Sequence, residues 1–209
     1  MRRGIVIAAA LLFAAGCIQR IERKPDGFDE KKVSAACELI IAGFQKELTQ
    51  ELVKAMTDGG PERAIAVCAV KAPEIADRYS QLPGIDIRRV SLQMRNPEIV
   101  PDRYELSVLT QFATTSHEEA RVASVLARDS GDVKRFRYMK EIKTGQLCLT
   151  CHGDPNGFSL ALKKALKIKY PGDRAVGYRL GDSRGAYSLT VVYPEAQATV
   201  TRLLTENAR

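Results

Sequence analysis

From residue 30 to residue 57 the apolar side chains return every three or four positions, at Val33, Cys37, Ile40, Ile41, Phe44, Leu48, Leu52 and Met56. That period predicts an amphipathic helix with one buried stripe. Asp58, Gly59, Gly60 and Pro61 end it and open a second helix over residues 62–80, since Pro61 suits a first helical turn. The second helix carries Ile65, Val67, Cys68 and Ile75, and Pro73 is expected to kink or break it. The pattern then becomes strand-like at residues 85–90. Pro97 and Pro101 mark a loop, and Asp102 is placed to cap a helix that buries Tyr104, Leu106, Leu109 and Phe112. Residues 120–128 fit helix and strand equally. Residues 129–132 have turn chemistry, and residues 135–142 alternate through Phe136, Tyr138 and Ile142. A short helix near 159–168 and two strands, 175–180 and 186–192, complete the pattern. Helices followed by a mostly antiparallel sheet predict the α+β class.

The N-terminus falls outside that pattern. Arg2 and Arg3 precede an apolar run over residues 4–15 that is too short to span a bilayer comfortably, so residues 1–16 read as a signal peptide. Ala14, Ala15, Gly16 and Cys17 resemble the lipobox of bacterial lipoproteins. The resemblance implies acylation of Cys17 and membrane lipid as a partner. Residues 17–29 would then be a tether and residues 30–209 the folded domain. By resemblance to the sorting rules of enterobacterial lipoproteins, Ile18 after the cysteine, in place of Asp, favours the outer membrane. The expected location is therefore the bacterial cell envelope, lipid-anchored and facing the periplasm. Loss of residues 1–16 removes Arg2 and Arg3 and no acid, so the formal charge falls from +7 to +5. With no basic run interleaved with aromatics and no Trp, nucleic acid is not an expected partner.

The candidate chemistry lies at residues 148–152, Cys-Leu-Thr-Cys-His. Cys-x-x-Cys-His is the signature of c-type haem attachment: two thiols bond the haem vinyl groups and the adjacent imidazole ligates the iron. With 5 Cys and 2 His in 209 residues, chance produces such a match about once in a thousand sequences. Cys148 and Cys151 are thus assigned to thioethers of one haem c, and His152 to the proximal iron position. A zinc site is the rival reading and needs a fourth ligand from elsewhere.

The second axial position has several candidates. His117 is the only other histidine and sits in a polar segment. Met56, Met94 and Met139 could each offer a thioether, with Met94 beside the Arg95-Asn96-Pro97 loop the best placed. Cys68 shares a helix face with Ile65 and offers a thiolate. Cys37 reads as core packing, although a Cys37–Cys68 disulfide would remove Cys68 from the iron. Haem propionates are anionic, which makes Arg88, Arg89 and Arg95 candidate partners, a solvated strand face being the alternative.

An ordered set of short stretches carries a family resemblance. They are residues 64–68 and 72–76, residues 89–92 and 95–97, Pro101, Asp102 and Glu105, residues 147–153, residues 170–173 with Ala175, Gly177 and Tyr178, and residues 181–186. Strongest over 60–192, the set resembles the exported PAS-like domains that carry one covalent c-type haem. Such domains occur in a cyanobacterial photosystem II-associated protein and in the extracytoplasmic sensing parts of chemoreceptors and histidine kinases. The resemblance implies a PAS-like antiparallel sheet of about five strands preceded by helices, and Cys68 as the iron ligand opposite His152. It implies a membrane-anchored monohaem c-type cytochrome acting in redox sensing or electron transfer and not an enzyme. An unidentified redox or signalling protein would be its partner, and a homo-oligomer is compatible with this reading. The chain shows no kinase or methyl-accepting pattern before Arg209, so a sensor of this kind would pass its signal to another protein. Two alternatives remain. One is a haem peroxidase using His117 with Glu118 and Glu119. The other is a zinc-binding structural lipoprotein.

Overall fold

The computed structural model describes residues 28–115, 118–128 and 133–208. The expected signal peptide, Cys17, most of the tether, the 129–132 turn and His117 lie outside them. In chain order the elements are α1 (Glu30–Ser80), β1 (Ile85–Val90), α2 (Arg103–Thr114), β2 (Val122–Arg128), β3 (Lys134–Lys143), α3 (Leu149–His152), α4 (Leu160–Lys169), β4 (Ser183–Tyr193) and α5 (Gln197–Asn207). The class is α+β, as the periodicity predicts.

Asp29 caps α1 by accepting from the backbone N–H groups of Lys31 and Lys32. Gly59 and Gly60 leave the helical conformation, with Gly60 at φ +68°, a left-handed value that a glycine adopts without steric cost. The helix is thereby divided into the two arms the sequence predicts. Pro73 does not break the second arm, which stays helical to Ser80. Ala72 and Ile75 on either side are buried against the sheet, and that packing offsets the hydrogen bond lost at the proline.

The four strands form one antiparallel sheet in the order β1-β4-β3-β2. Pairing with β3 makes residues 122–128 a strand, where the local sequence fitted helix equally. The strand expected at 175–180 is absent. Its backbone bonds elsewhere: Gly177 and Tyr178 N–H donate to the carbonyls of Gly153 and His152 at 2.8 and 2.9 Å. Among the described residues the sheet therefore has four strands and not five. A C-terminal helix not anticipated from the sequence, α5, packs Val200, Leu203 and Leu204 onto the core.

Side chains alternate across the sheet. Ile85 and Ile87 of β1, Phe136 and Tyr138 of β3, and Tyr187, Leu189 and Val191 of β4 face α1, where Val33, Ile40, Ile41, Phe44 and Ile75 meet them. Each large apolar side chain buried there contributes about 1.5–3 kcal/mol. The opposite face buries Val90, Met139 and Ala186 under Val108, Leu109 and Phe112 of α2. Leu106, expected in that stripe, is 50% exposed, and Glu105 takes the inward position at 1%. A carboxylate can be buried there because it is fully partnered. It accepts from Arg88 Nε at 3.0 Å and from the Asp102 N–H at 2.8 Å, and it pairs with Arg137 Nη2 at 3.3 Å.

That network generates a stability prediction. Glu105→Ala removes the carboxylate that joins Arg88, Arg137 and the Asp102 N–H and should cost about 1–3 kcal/mol in urea denaturation. Arg88→Ala should cost clearly less, because the Arg88 side chain is 38% exposed.

Candidate functional site

The Cys-x-x-Cys-His segment folds as a 3-10 turn, Gln146–Cys148, running into the single helical turn α3. On such a turn residues three apart share a face, which sets Cys148 and Cys151 side by side. The Gly153 N–H closes the turn on the Leu149 carbonyl at 3.0 Å. A Cβ at this position would sit 2.6 Å from the same oxygen, so the close approach requires glycine.

The segment at 173–180 then holds His152. Besides its two backbone bonds to residues 152 and 153, it presents the Ala175 carbonyl 2.7 Å from His152 Nδ1. A carbonyl only accepts, so Nδ1 carries the proton and Nε2 keeps its lone pair for a metal. Ala175 is itself fixed, its N–H donating to Asp173 Oδ1 at 2.8 Å. Arg95 ties these pieces together: Nη2 pairs with Asp173 Oδ2 at 3.1 Å and donates to the carbonyls of Ala175, at 3.3 Å, and Cys151. Burial, followed by the charges of Arg184, Arg95 and Arg89, pulls the His152 pKa down to about 2 against the opposing Ala175 bond. The imidazole is therefore neutral through the physiological range.

Cys68 reaches the same place from the second arm of α1. One turn before it, Ile65 packs with Leu162 and Leu166 of α4 and with Cys151, Phe158 and Tyr170. Cys68 acts electrostatically on the Cys151 thiol. Burial raises both, while Arg95 opposes the rise at each and Arg89 also at Cys68. Tyr187, paired across the strands with Arg89, lies in the field of Cys148. The structure thus brings together Cys68, Arg89, Arg95, Cys148, Cys151 and His152.

Other candidates go elsewhere. Arg88 points to the opposite sheet face and is taken by Glu105. Met139 is buried on that opposite face with Phe112. Met94 belongs to the loop beside the site, where its carbonyl accepts from the Arg174 N–H at 3.0 Å. Cys37 is a free, fully buried thiol of the α1 core whose pKa burial pushes up to about 12, and the Cys37–Cys68 disulfide is not formed.

Sequence reasoning passed over Arg184, at the start of β4. Its Nη1 donates to Ser91 Oγ at 2.9 Å, and its guanidinium lies 5.2 Å from the centre of the Tyr178 ring, which meets the His152 ring edge-on at 6.3 Å. Residues 181–186 belong to the stretches that carry the resemblance, but there residues 181–185 only separate the two expected strands. Asp173, Ala175 and Tyr178 were likewise legible as a motif and not as a brace.

The profile of the Tll0287-like family matches residues 22–192 of this sequence. The chain belongs to the Tll0287-like family. Every residue of the site, from Cys68 to Arg184, lies within the matched range, and α5 lies beyond it. The chain is also similar to a solved structure described as the crystal structure of the cyanobacterial haem protein Tll0287. The two are 25% identical and superpose with a TM-score of 0.55, over 80% of this chain and 99% of that one. No curated protein matches the chain.

The buried imidazole has a consequence for stability. An unfolded chain's histidine takes up a proton below about 6.5, whereas folded His152 resists protonation down to about 2. The unfolded state binds more protons across that window, so stability falls as pH is lowered through it. In the haem-free chain, urea midpoints should decline as pH falls from 6.5 toward 5, and His152→Asn should flatten that slope.

Proposed function

We propose that this chain binds one haem covalently and works as a monohaem c-type cytochrome in redox sensing or electron transfer. The observation that carries the reading is the neutral His152, its Nδ1 engaged by Ala175 and its Nε2 free, beside two free thiols at Cys148 and Cys151. The thiols would add S–H across the two vinyl groups, and His152 Nε2 would ligate the iron. When bound, the haem supplies a one-electron ferric/ferrous couple. The charge of the site also fits. Arg89, Arg95 and Arg184 all act on His152, and Arg95 Nε and Arg184 Nε are buried without acceptors, as a site for the anionic edge of a haem requires. The haem bound by the cyanobacterial neighbour supports the same assignment.

Cys68 is proposed as the second axial donor. Its thiol shares the electrostatic surroundings of Cys151; burial raises its pKa, and the positive charges of Arg89 and Arg95 oppose that rise. An anionic sulfur would hold the iron in the ferric state and lower the potential. The zinc reading has less support, because among the described residues no group of three or more His, Cys, Asp or Glu side chains is placed to hold a metal ion. We further propose that the mature protein is lipid-anchored through Cys17 in the cell envelope and exchanges electrons or signals with another protein. Among the described residues no helix is long and apolar enough to cross a membrane, so attachment in this reading falls to the acyl chains.

Expression with a haem-attachment system tests the assignment. A denaturing gel stained for haem should show a band for wild type, and Cys148→Ala with Cys151→Ala should abolish it. An unstained wild type, without Soret absorption, would refute the haem reading. The ferric wild type should give the low-spin paramagnetic resonance spectrum of a thiolate-ligated iron, and Cys68→Ser should lose it. A spectrum that survives Cys68→Ser would remove Cys68 from the iron.

A further inference from the structure

We infer that Arg184 is the principal anchor for a haem propionate, an inference that rests on the haem reading above and gives a binding role to a residue outside the Cys-x-x-Cys-His motif. Arg184 is largely buried and forms no ion pair among the described residues. Its Nη1 donates to Ser91 Oγ at 2.9 Å, and its Nε is buried with no acceptor. Tyr178 covers the guanidinium from one side, at 5.2 Å. Gly185 lets the chain approach this closely: a Cβ there would lie 2.3 Å from the Val90 carbonyl oxygen.

Removing a cation from water without a counter-ion costs several kcal/mol, and such groups persist where an anion completes them. The carboxylate that acts on Arg184 is Asp173, which is already held by Arg95 at 3.1 Å and by the Ala175 N–H at 2.8 Å. Arg184 is therefore left without a carboxylate of its own, and a haem brings two propionates. Of the three cations that act on His152, Arg95 is spent on Asp173 and the backbone carbonyls, and Arg89 is exposed. Arg95 and Arg184 each keep a buried Nε without an acceptor, but only Arg184 of the two lacks a carboxylate partner among the described residues, and a guanidinium fork matches a carboxylate.

The test compares haem-loaded wild type, Arg184→Gln and Arg184→Lys by resonance Raman spectroscopy. The propionate bending band, which reports hydrogen bonding to the carboxylate, should shift in Arg184→Gln and return part of the way in Arg184→Lys. A band unchanged in all three overturns the proposal, including the case in which a free anion occupies the guanidinium. A second measurement separates binding from a merely structural role. In the haem-free full chain, Arg184→Met removes an uncompensated buried charge and should raise the urea midpoint. In the haem-loaded chain the same change strands a propionate and should lower it. Shifts of the same sign in both forms would overturn the proposal. Haem stain on the wild-type gel shows separately whether the haem reading stands, so the two failures are distinguishable. If Arg184→Gln does not accumulate, Arg184→Lys still reports on the band.

Discussion

The hydrogen bond from His152 Nδ1 to the Ala175 carbonyl is the constraint on which the site depends. A buried imidazole must have its N–H satisfied, and a carbonyl is a partner that accepts only. Meeting that need fixes the tautomer, directs the free lone pair to Nε2 and draws the 173–180 segment against the Cys-x-x-Cys-His turn. Backbone groups that would have made a fifth strand are used to hold His152 instead. Arg95 reinforces the arrangement from a third segment by gripping both the motif and the loop. The departure from a regular sheet and the preparation of the ligand are one event.

The parity of the sheet distributes the charged residues. Arg88 and Arg89 are neighbours in sequence, yet strand geometry sends them to opposite faces. Arg88 completes a buried network with Glu105, Arg137 and Asp102 that fastens α2 to the sheet. Arg89 faces α1, paired in register with Tyr187 and within the field of Cys68. Arg88 thus has its charge balanced by a carboxylate, whereas Arg89 is one of the three cations that act on His152.

The elements were largely legible in the sequence. Helical spacing in α1, the Gly59-Gly60 interruption, the Asp102 cap and the alternation of β1 and β3 are local signals, and the structure realises them. α5 was passed over although Val200, Leu203 and Leu204 stand at helical spacing, because polar residues separate them and the stripe needs α1 and the sheet to become a core. Leu106 was misplaced for a related reason. Hydrophobicity ranks it above Glu105, and only the neighbouring arginines make burial of the carboxylate favourable.

By itself the sequence determined the two thiols and the imidazole at residues 148–152, since covalent spacing within one turn is enough to set them together. It also determined the class of fold through the periods of its apolar residues. The tertiary structure decided which distant groups complete the site: the Ala175 carbonyl, the Arg95 brace, the approach of Cys68 and the uncompensated charge of Arg184. Those contacts join segments far apart in the chain. Burial, strand parity and the pairing of polar groups select them, and no local pattern of residues encodes that selection.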